Sequence, residues 1–406
     1  MNQHDHHAIV RLAFASLRQR ADAGLLALHE RIAESCMLPD EVAIPLLEGK
    51  RGPWRRYFPR LLSKFNFEHD QRDLHSLLPA NGFYIREIIR ALRRRDDAAA
   101  ARFLGTYSHY IGDFTQPAHH YELDIGLLLP PPQAMRNCNY HRMLEDVEAT
   151  VSTLRRRSCL LGASPGELLF RLPARYATLF QRSVSAVIPM TRAIYRGQFQ
   201  AASRVMDRVV LDSARLFADF CYTVWAIAQR SFATPDLRRL HACDLREVPP
   251  SAYDAEFNFS HCPLIDAVSV AEYGPATRFA LFYPRPGRRP AAVEVKGMCV
   301  IPHALPLPGV PLGSMLEYRL PRGVFTRFEA DVGLLAGETR QAACRFAVLA
   351  DGRPLFSSPP LKPGDCALRV ALDVAHCRTL RLAVTTDGST DKLAFPIWAG
   401  PRLLKY

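Results

Sequence analysis

The stretch Gly105–Glu122 reads GTYSHYIGDFTQPAHHYE. His109 and Asp113 stand four residues apart in it. Apolar residues recur at helical spacing around them, which predicts a helix over roughly 97–113. Four residues advance a helix by about 400°, so both side chains leave nearly the same face. A nitrogen and a carboxylate placed so can grip one metal ion. Gln116-Pro117 then breaks the helix, because proline has no N–H to give. His119 follows where the chain can fold back over the same pocket.

A second pair lies in CNYHRMLEDVE, where His141 and Glu145 are again four apart. One such pair alone is usually a surface hydrogen bond or ion pair. Two pairs with a histidine between them point further. Ten of the 14 histidines fall at or before residue 141. Helical bundles build metal sites from inward-facing His and carboxylate residues on neighbouring helices. Nitrogen with carboxylate oxygen suits Zn²⁺, and Mn²⁺ or Fe²⁺ bind such donors similarly.

The chain has 406 residues, enough for two or three domains. Its 48% hydrophobic and 23% charged residues exclude a mostly disordered chain. No apolar run reaches about 18 residues, so no transmembrane helix is expected. The start, MNQHDHHAIVRL, lacks the basic and continuous apolar parts of a signal peptide, and the compartment stays open. The net charge of +12 favours anionic partners, although Arg outnumbers Lys 46 to 6, as a high-Arg genome would also give. The Arg clusters at 90–97 and 153–158 read as solvated faces, not nucleic-acid motifs. Ten cysteines without a C-x-x-C pair read as buried thiols, not a disulfide framework.

The first 240 residues read as helices, at roughly 7–20, 23–36, 82–94, 97–113, 138–157, 172–197 and 200–230. Beyond them proline becomes denser, with 18 in the remainder against 13 before. Strand-like runs take over at Arg278–Tyr283, Arg327–Val332, Cys344–Leu349, Ala367–Leu372 and Leu380–Thr385, with turns at Asp351-Gly352 and Asp387-Gly388. The expected organisation is a helical domain over 1–240, a linker or accessory strands over 241–296, and a β-sandwich over 297–406.

The string H-x-x-x-D-x(5)-H followed by H-x-x-x-E resembles the zinc-dependent phospholipase C and single-strand-specific zinc nuclease superfamily. HYIGDFTQPAHH is similar to its helix-turn segment, and FLGTYSHY and NYHRMLEDVEATV to the flanking helices. The resemblance covers residues 1 to about 235 and implies an all-helical fold with zinc ions in a cleft. It implies that His109 and Asp113 serve a zinc pair, with Asp113 bridging, and that His119, His141 and Glu145 hold a third ion. It also implies an early histidine, His6, with His7 and His4 as competitors. Asp40 is the choice for a further ligand that also orients or deprotonates water, though a helix N-cap is the plain alternative. His69 is the choice for a further histidine, with His75 as its rival. His29 reads as structural, and His120 is a lesser alternative to His119. The family opens on a tryptophan whose amine and carbonyl ligate zinc. This chain has Met1, so His4 or Asp5 are candidates to replace that ligand, or the position is weakly held.

From about Gly297 to Leu403, RFEADVGL, CRFAVLADGRPLFSS, ALDVAHCRTLRLAVTTDG and IWAGPRLL occur in order. They are similar to the novel carbohydrate-binding module family, a β-sandwich often attached to glycan-active enzymes. His303 matches one of its segments. The family's acidic-His pair near the end is missing, which puts ligand binding in doubt. Trp398 reads either as core or as a sugar platform. His261-Cys262 is weak as a metal motif.

The expected protein is therefore multidomain: an all-α, zinc phospholipase C-like helical domain followed by an all-β sandwich. The expected function is hydrolysis of a phosphodiester, in phospholipid or nucleotide, with two or three Zn²⁺ ions. Glycan contact through the C-terminal domain and peripheral membrane contact accompany it. The enzymatic alternative is a single-strand nuclease or nucleotidase. The non-enzymatic one is a glycan- or surface-binding protein with a degenerate zinc site.

Overall fold

The computed structural model describes residues 1–18, 20, 22–47, 53–58, 74–119, 129–253, 278–300, 312–337, 342–386 and 395–405. His69, His120, His261, Cys262, His303 and the Asp387-Gly388 turn lie outside the described residues, as does the side chain of His75. The chain divides into two compact units, Met1–Leu237 and Arg238–Tyr406.

The first unit is helical: α1 Gln3–Leu17, α2 Ala23–Leu26, α3 His29–Ser35, α4 Leu38–Leu47, α5 Leu74–Arg93, α6 Asp97–Thr115, α7 Tyr140–Glu145, α8 Pro165–Tyr195, α9 Phe199–Gln229 and α10 Thr234–Arg239, which crosses the division. Each start has a local cause. Asn2 caps α1 by accepting from the Asp5 N–H at 2.9 Å, and Asp96 caps α6 by accepting from Ala99 at 3.0 Å. Ser164 caps α8 by accepting from the Glu167 N–H, and Glu167 reaches back to accept from the Ala163 N–H just before the cap.

Helix α6 is the centre of this unit and is buried almost all round from Ala99 to Thr115. Two glycines let neighbours reach its backbone. A Cβ at Gly105 would lie 2.7 Å from the Ile32 carbonyl of α3. A Cβ at Gly112 would lie 2.8 Å from the His6 ring of α1.

One expected helix is much shorter than its sequence suggests. The run at 138–157 is helical only as α7, and 147–162 has no regular structure. Side chains take over the backbone pairing there. Asp5 accepts from the Ala149 N–H, Asp207 from Thr150 and Val151, Asp219 from Cys159, and the Thr223 hydroxyl from Leu161. The β-branched run Thr150-Val151 favours this extended path.

The second unit is antiparallel β: β1 Ala242–Asp244, β2 Ala252–Tyr253, β3 Arg278–Arg285, β4 Arg288–Cys299, β5 Leu312–Arg319, β6 Arg327–Leu334, β7 Cys344–Ala350, β8 Arg353–Ser357, β9 Leu368–Asp373, β10 Thr379–Thr386 and β11 Pro396–Leu404. One sheet runs β3-β4-β11-β6-β9, with β1 also on β11, and the other β2-β5-β10-β7-β8. All five strand-like runs coincide with strands, Ala367 alone falling just before β9, and Asp351-Gly352 turns β7 into β8 with φ of 48° and 78°. Strands β1 to β3 and most of β4 come from 241–296 and belong to these sheets. The described elements bear out the expected fold class, helices followed by a β-sandwich.

Trp398 is completely buried, 5.4 Å from Phe346 of the other sheet and 6.3 Å from Phe328 between ring centroids. It is core and offers no exposed face to a sugar. Of the nine described cysteines, all unbridged, only four are fully buried.

Candidate metal centre

Two groups of donors form in the helical unit. The first is His6 of α1 with His109 and Asp113 of α6. His109 Nε2 lies 2.9 Å from Asp113 Oδ2, and His6 Nε2 lies 3.3 Å from Asp113 Oδ1. The two imidazoles stack with centroids 4.0 Å apart, an approach that the bare Gly112 permits. His109 Nδ1 lies 2.9 Å from the Cys36 carbonyl, to which it donates. That bond fixes the tautomer and leaves Nε2 as a lone-pair donor toward the cluster.

The second group is His119, His141 and Glu145. The turn Pro117–His119 directly after α6 carries the first, and α7 the other two. Both Nε2 atoms lie 3.4 Å from Glu145 Oε1, and the rings stack at 4.9 Å. Asn2 donates from Nδ2 to the Glu145 carbonyl at 2.7 Å, pinning the end of α7 to the start of α1.

The amine of Met1 joins the groups. It lies 3.2 Å from Asp113 Oδ1 and 2.7 Å from Glu145 Oε1 and is buried. Burial opposes its charge, but the two carboxylates outweigh burial and raise its pKa above the ordinary value. His4 and Asp5, the suggested replacements for the family's tryptophan, do not join either group. His4 is exposed beside an open polar hollow, and Asp5 is turned to the Ala149 N–H.

The structure thus brings together seven of the eight candidate residues, and the eighth, His69, lies outside the described residues. Asp40 is at the rim, its Oδ1 3.5 Å from His109 Nε2 and its side chain 43% exposed. Of the competitors, His7 faces the Cys36 thiol at 3.8 Å, and His29 stacks on Phe14 and pairs with Glu30. Sequence reasoning missed the Met1 amine, the Cys36 carbonyl and the two close-approach glycines. The G-x(6)-G spacing within α6 was the one available signal for the last.

The protonation states suit a metal. Burial, then the adjacent His109, push the His6 imidazole down to about 3, so it is neutral. Burial lowers His119 as well. Burial opposes ionisation of Asp113 and Glu145, but the histidines and the amine around them hold both carboxyls well below the usual range. Neutral imidazole with ionised carboxylate is the form that ligates. The Nε2 atoms of His6 and His109 face the Asp113 carboxylate without a well-aligned hydrogen bond, and His6 Nδ1 is buried without a partner, a demand that a cation would meet. The donor set fits zinc.

Residues 309–404 match the NPCBM/NEW2 domain model. That model bears out the family expected of the C-terminal module. No curated protein matches the chain. Among solved structures, a CBM51 from a Clostridium perfringens GH95 in complex with methyl-galactose covers 40% of this chain and 99% of its own, at 20% identity and a TM-score of 0.28. The M60 catalytic domain with two CBM51 domains of Clostridium perfringens ZmpB covers 40% of this chain at 17% identity and a TM-score of 0.29, and this chain spans 15% of its length. The alpha toxin of Clostridium absonum covers 100% of this chain and 96% of its own, at 8% identity and a TM-score of 0.36.

Proposed function

We propose that the helical unit is a zinc-dependent hydrolase of phosphate esters, of the phospholipase C kind. One observation carries this reading: the helical unit gathers two His-carboxylate clusters, one of them with buried ring nitrogens that no well-aligned hydrogen bond serves. His6, His109 and Asp113 would hold zinc at one cluster, and His119, His141 and Glu145 at the other, with His69 an additional ligand. Zinc held there supplies an acidified water at neutral pH and positive charge against a phosphoryl group.

The chain's own groups do the rest. Asp40 is open to solvent beside His109, so its carboxylate can orient a water and take its proton. The Cys36 carbonyl keeps the His109 ring in register. Tyr107, Tyr110 and Phe114 are buried in the core and offer no face to a nucleobase, while Tyr121 lies outside the described residues. The C-terminal unit is proposed to contact glycan through a surface other than Trp398, on the strength of the domain match. Among the described residues no helix is long and apolar enough to cross a membrane.

The test is metal analysis of the purified protein with parallel assays on phosphatidylcholine, single-stranded DNA and a generic phosphodiester, with and without chelator. Two or three zinc ions per chain and chelator-sensitive release of the head group are expected. Absence of zinc, or activity unchanged in both His109→Ala and His141→Ala, would overturn the reading.

A further inference from the structure

A cleft of about 450 Å³ lies between α8 and α9, and it shares no residue with either donor cluster. It has a local cause. Helix α8 presents Ser183, Ser185, Ala186 and Pro189 to it, all small side chains, opposite Val205 and Val209 of α9. The floor is closed. Ser183 donates to the Thr115 carbonyl, and the Thr115 and Ser213 hydroxyls bond at 2.6 Å.

The rim is basic. Three arginines, Arg182, Arg208 and Arg215, face one carboxylate, Asp212. Asp212 is already engaged twice, by Arg182 at 2.9 Å and Arg215 at 2.7 Å. Arg208 has no ion-pair partner among the described residues, and the Nε of Arg215 is buried without a hydrogen-bond partner. Arg208 and Arg215 stand seven residues apart on one helix, so both meet the same face. A guanidinium without an ion-pair partner beside the apolar walls of Leu179, Pro189, Val205 and Val209 complements an anion that carries a hydrocarbon body. The volume far exceeds what a bare phosphate needs, and the apolar walls would be wasted on one.

We propose that this cleft binds a single-chain amphiphile with an anionic head, the head on Arg208 and Arg215 and the chain against Leu179, Pro189, Val205 and Val209. A fatty carboxylate and an alkyl phosphate share this chemistry.

Calorimetric titration of the full chain tests it with dodecanoate, dodecyl phosphate and dodecyltrimethylammonium, each below its micelle concentration. At least one anion is expected to bind with one-to-one stoichiometry, and comparison of the two distinguishes the sources. The cation is expected to bind at least about 10-fold more weakly, and the double variant R208A/R215A to lose about 10- to 100-fold for the anion, the scale of charge-assisted hydrogen bonds. Ala186→Trp fills the cleft and is expected to abolish binding with helix content unchanged by circular dichroism. Should that variant not fold, Val205→Trp replaces it from the other wall. Failure of both anions to bind, equal binding of the cation, or full binding in the folded, filled variant would overturn the proposal.

Discussion

The two donor clusters use the same chemistry in opposite surroundings. In the first, the side chains of His6, His109 and Asp113 are 0%, 1% and 6% exposed. In the second, His119 is also only 6% exposed, but His141 and Glu145 are 28% and 27% exposed. A buried nitrogen without a partner costs stability, whereas a half-exposed one is served by water. On the proposed reading, the first cluster would need a cation to fold well, and the second could lose one cheaply. Tight packing around α6 builds the first, while the short helix α7 and the Pro117–His119 turn build the second.

Several substitutions would break or sharpen this contrast. Asp113→Asn removes the carboxylate nearest to His6, His109 and the Met1 amine. It should cut phosphodiester hydrolysis by about 10³-fold or more and lower the zinc content, as metal analysis and turnover will show. Asp40→Asn should cost about 100-fold in turnover with zinc content unchanged. A loss of metal in that variant would make Asp40 a ligand and not a base.

Glu145→Gln should lower activity about 10-fold, roughly 1.4 kcal/mol in barrier, and release one zinc on dialysis while the buried cluster keeps its own. Equal retention at both clusters would dissolve the contrast. Gly112→Ala drives a methyl group against the His6 ring and should cost about 1–3 kcal/mol in denaturant unfolding, through overpacking.

The smallest effect is on pH. His6 is held neutral, with its folded pKa lowered to about 3, against Met1, His109 and Asp113 around it. The unfolded chain protonates His6 near its ordinary value of about 6.5, and the folded chain does not. Its contribution therefore disfavours folding increasingly as pH falls from about 6.5 to about 3, and is absent above that window. In metal-free protein, His6→Gln should flatten the fall of melting temperature over this range. An unchanged slope would show that His6 is not the buried neutral group.

Much of this was legible in the residues. The i, i+4 pairs His109/Asp113 and His141/Glu145 are local, so helical periodicity alone put each on one face. The β runs announced themselves by alternation and by Asp351-Gly352. The helix at 138–157 misled because its apolar spacing is helical, yet Asp5, Asp207, Asp219 and Thr223, distant in sequence, capture its amides. Trp398 was ambiguous because a strand residue can face either way, and only its contacts to Phe328 and Phe346 decide.

Sequence by itself determined the fold classes and the pairs that share a helix face, because those rest on periods of a few residues. Tertiary structure alone decided that His6 and not His4 or His7 meets Asp113, that the Met1 amine lies between two carboxylates, and that the Cys36 carbonyl sets the His109 tautomer. Those contacts join residues up to 144 positions apart. No local period encodes such a distance; the packing of α1 and α3 against the glycines of α6 does.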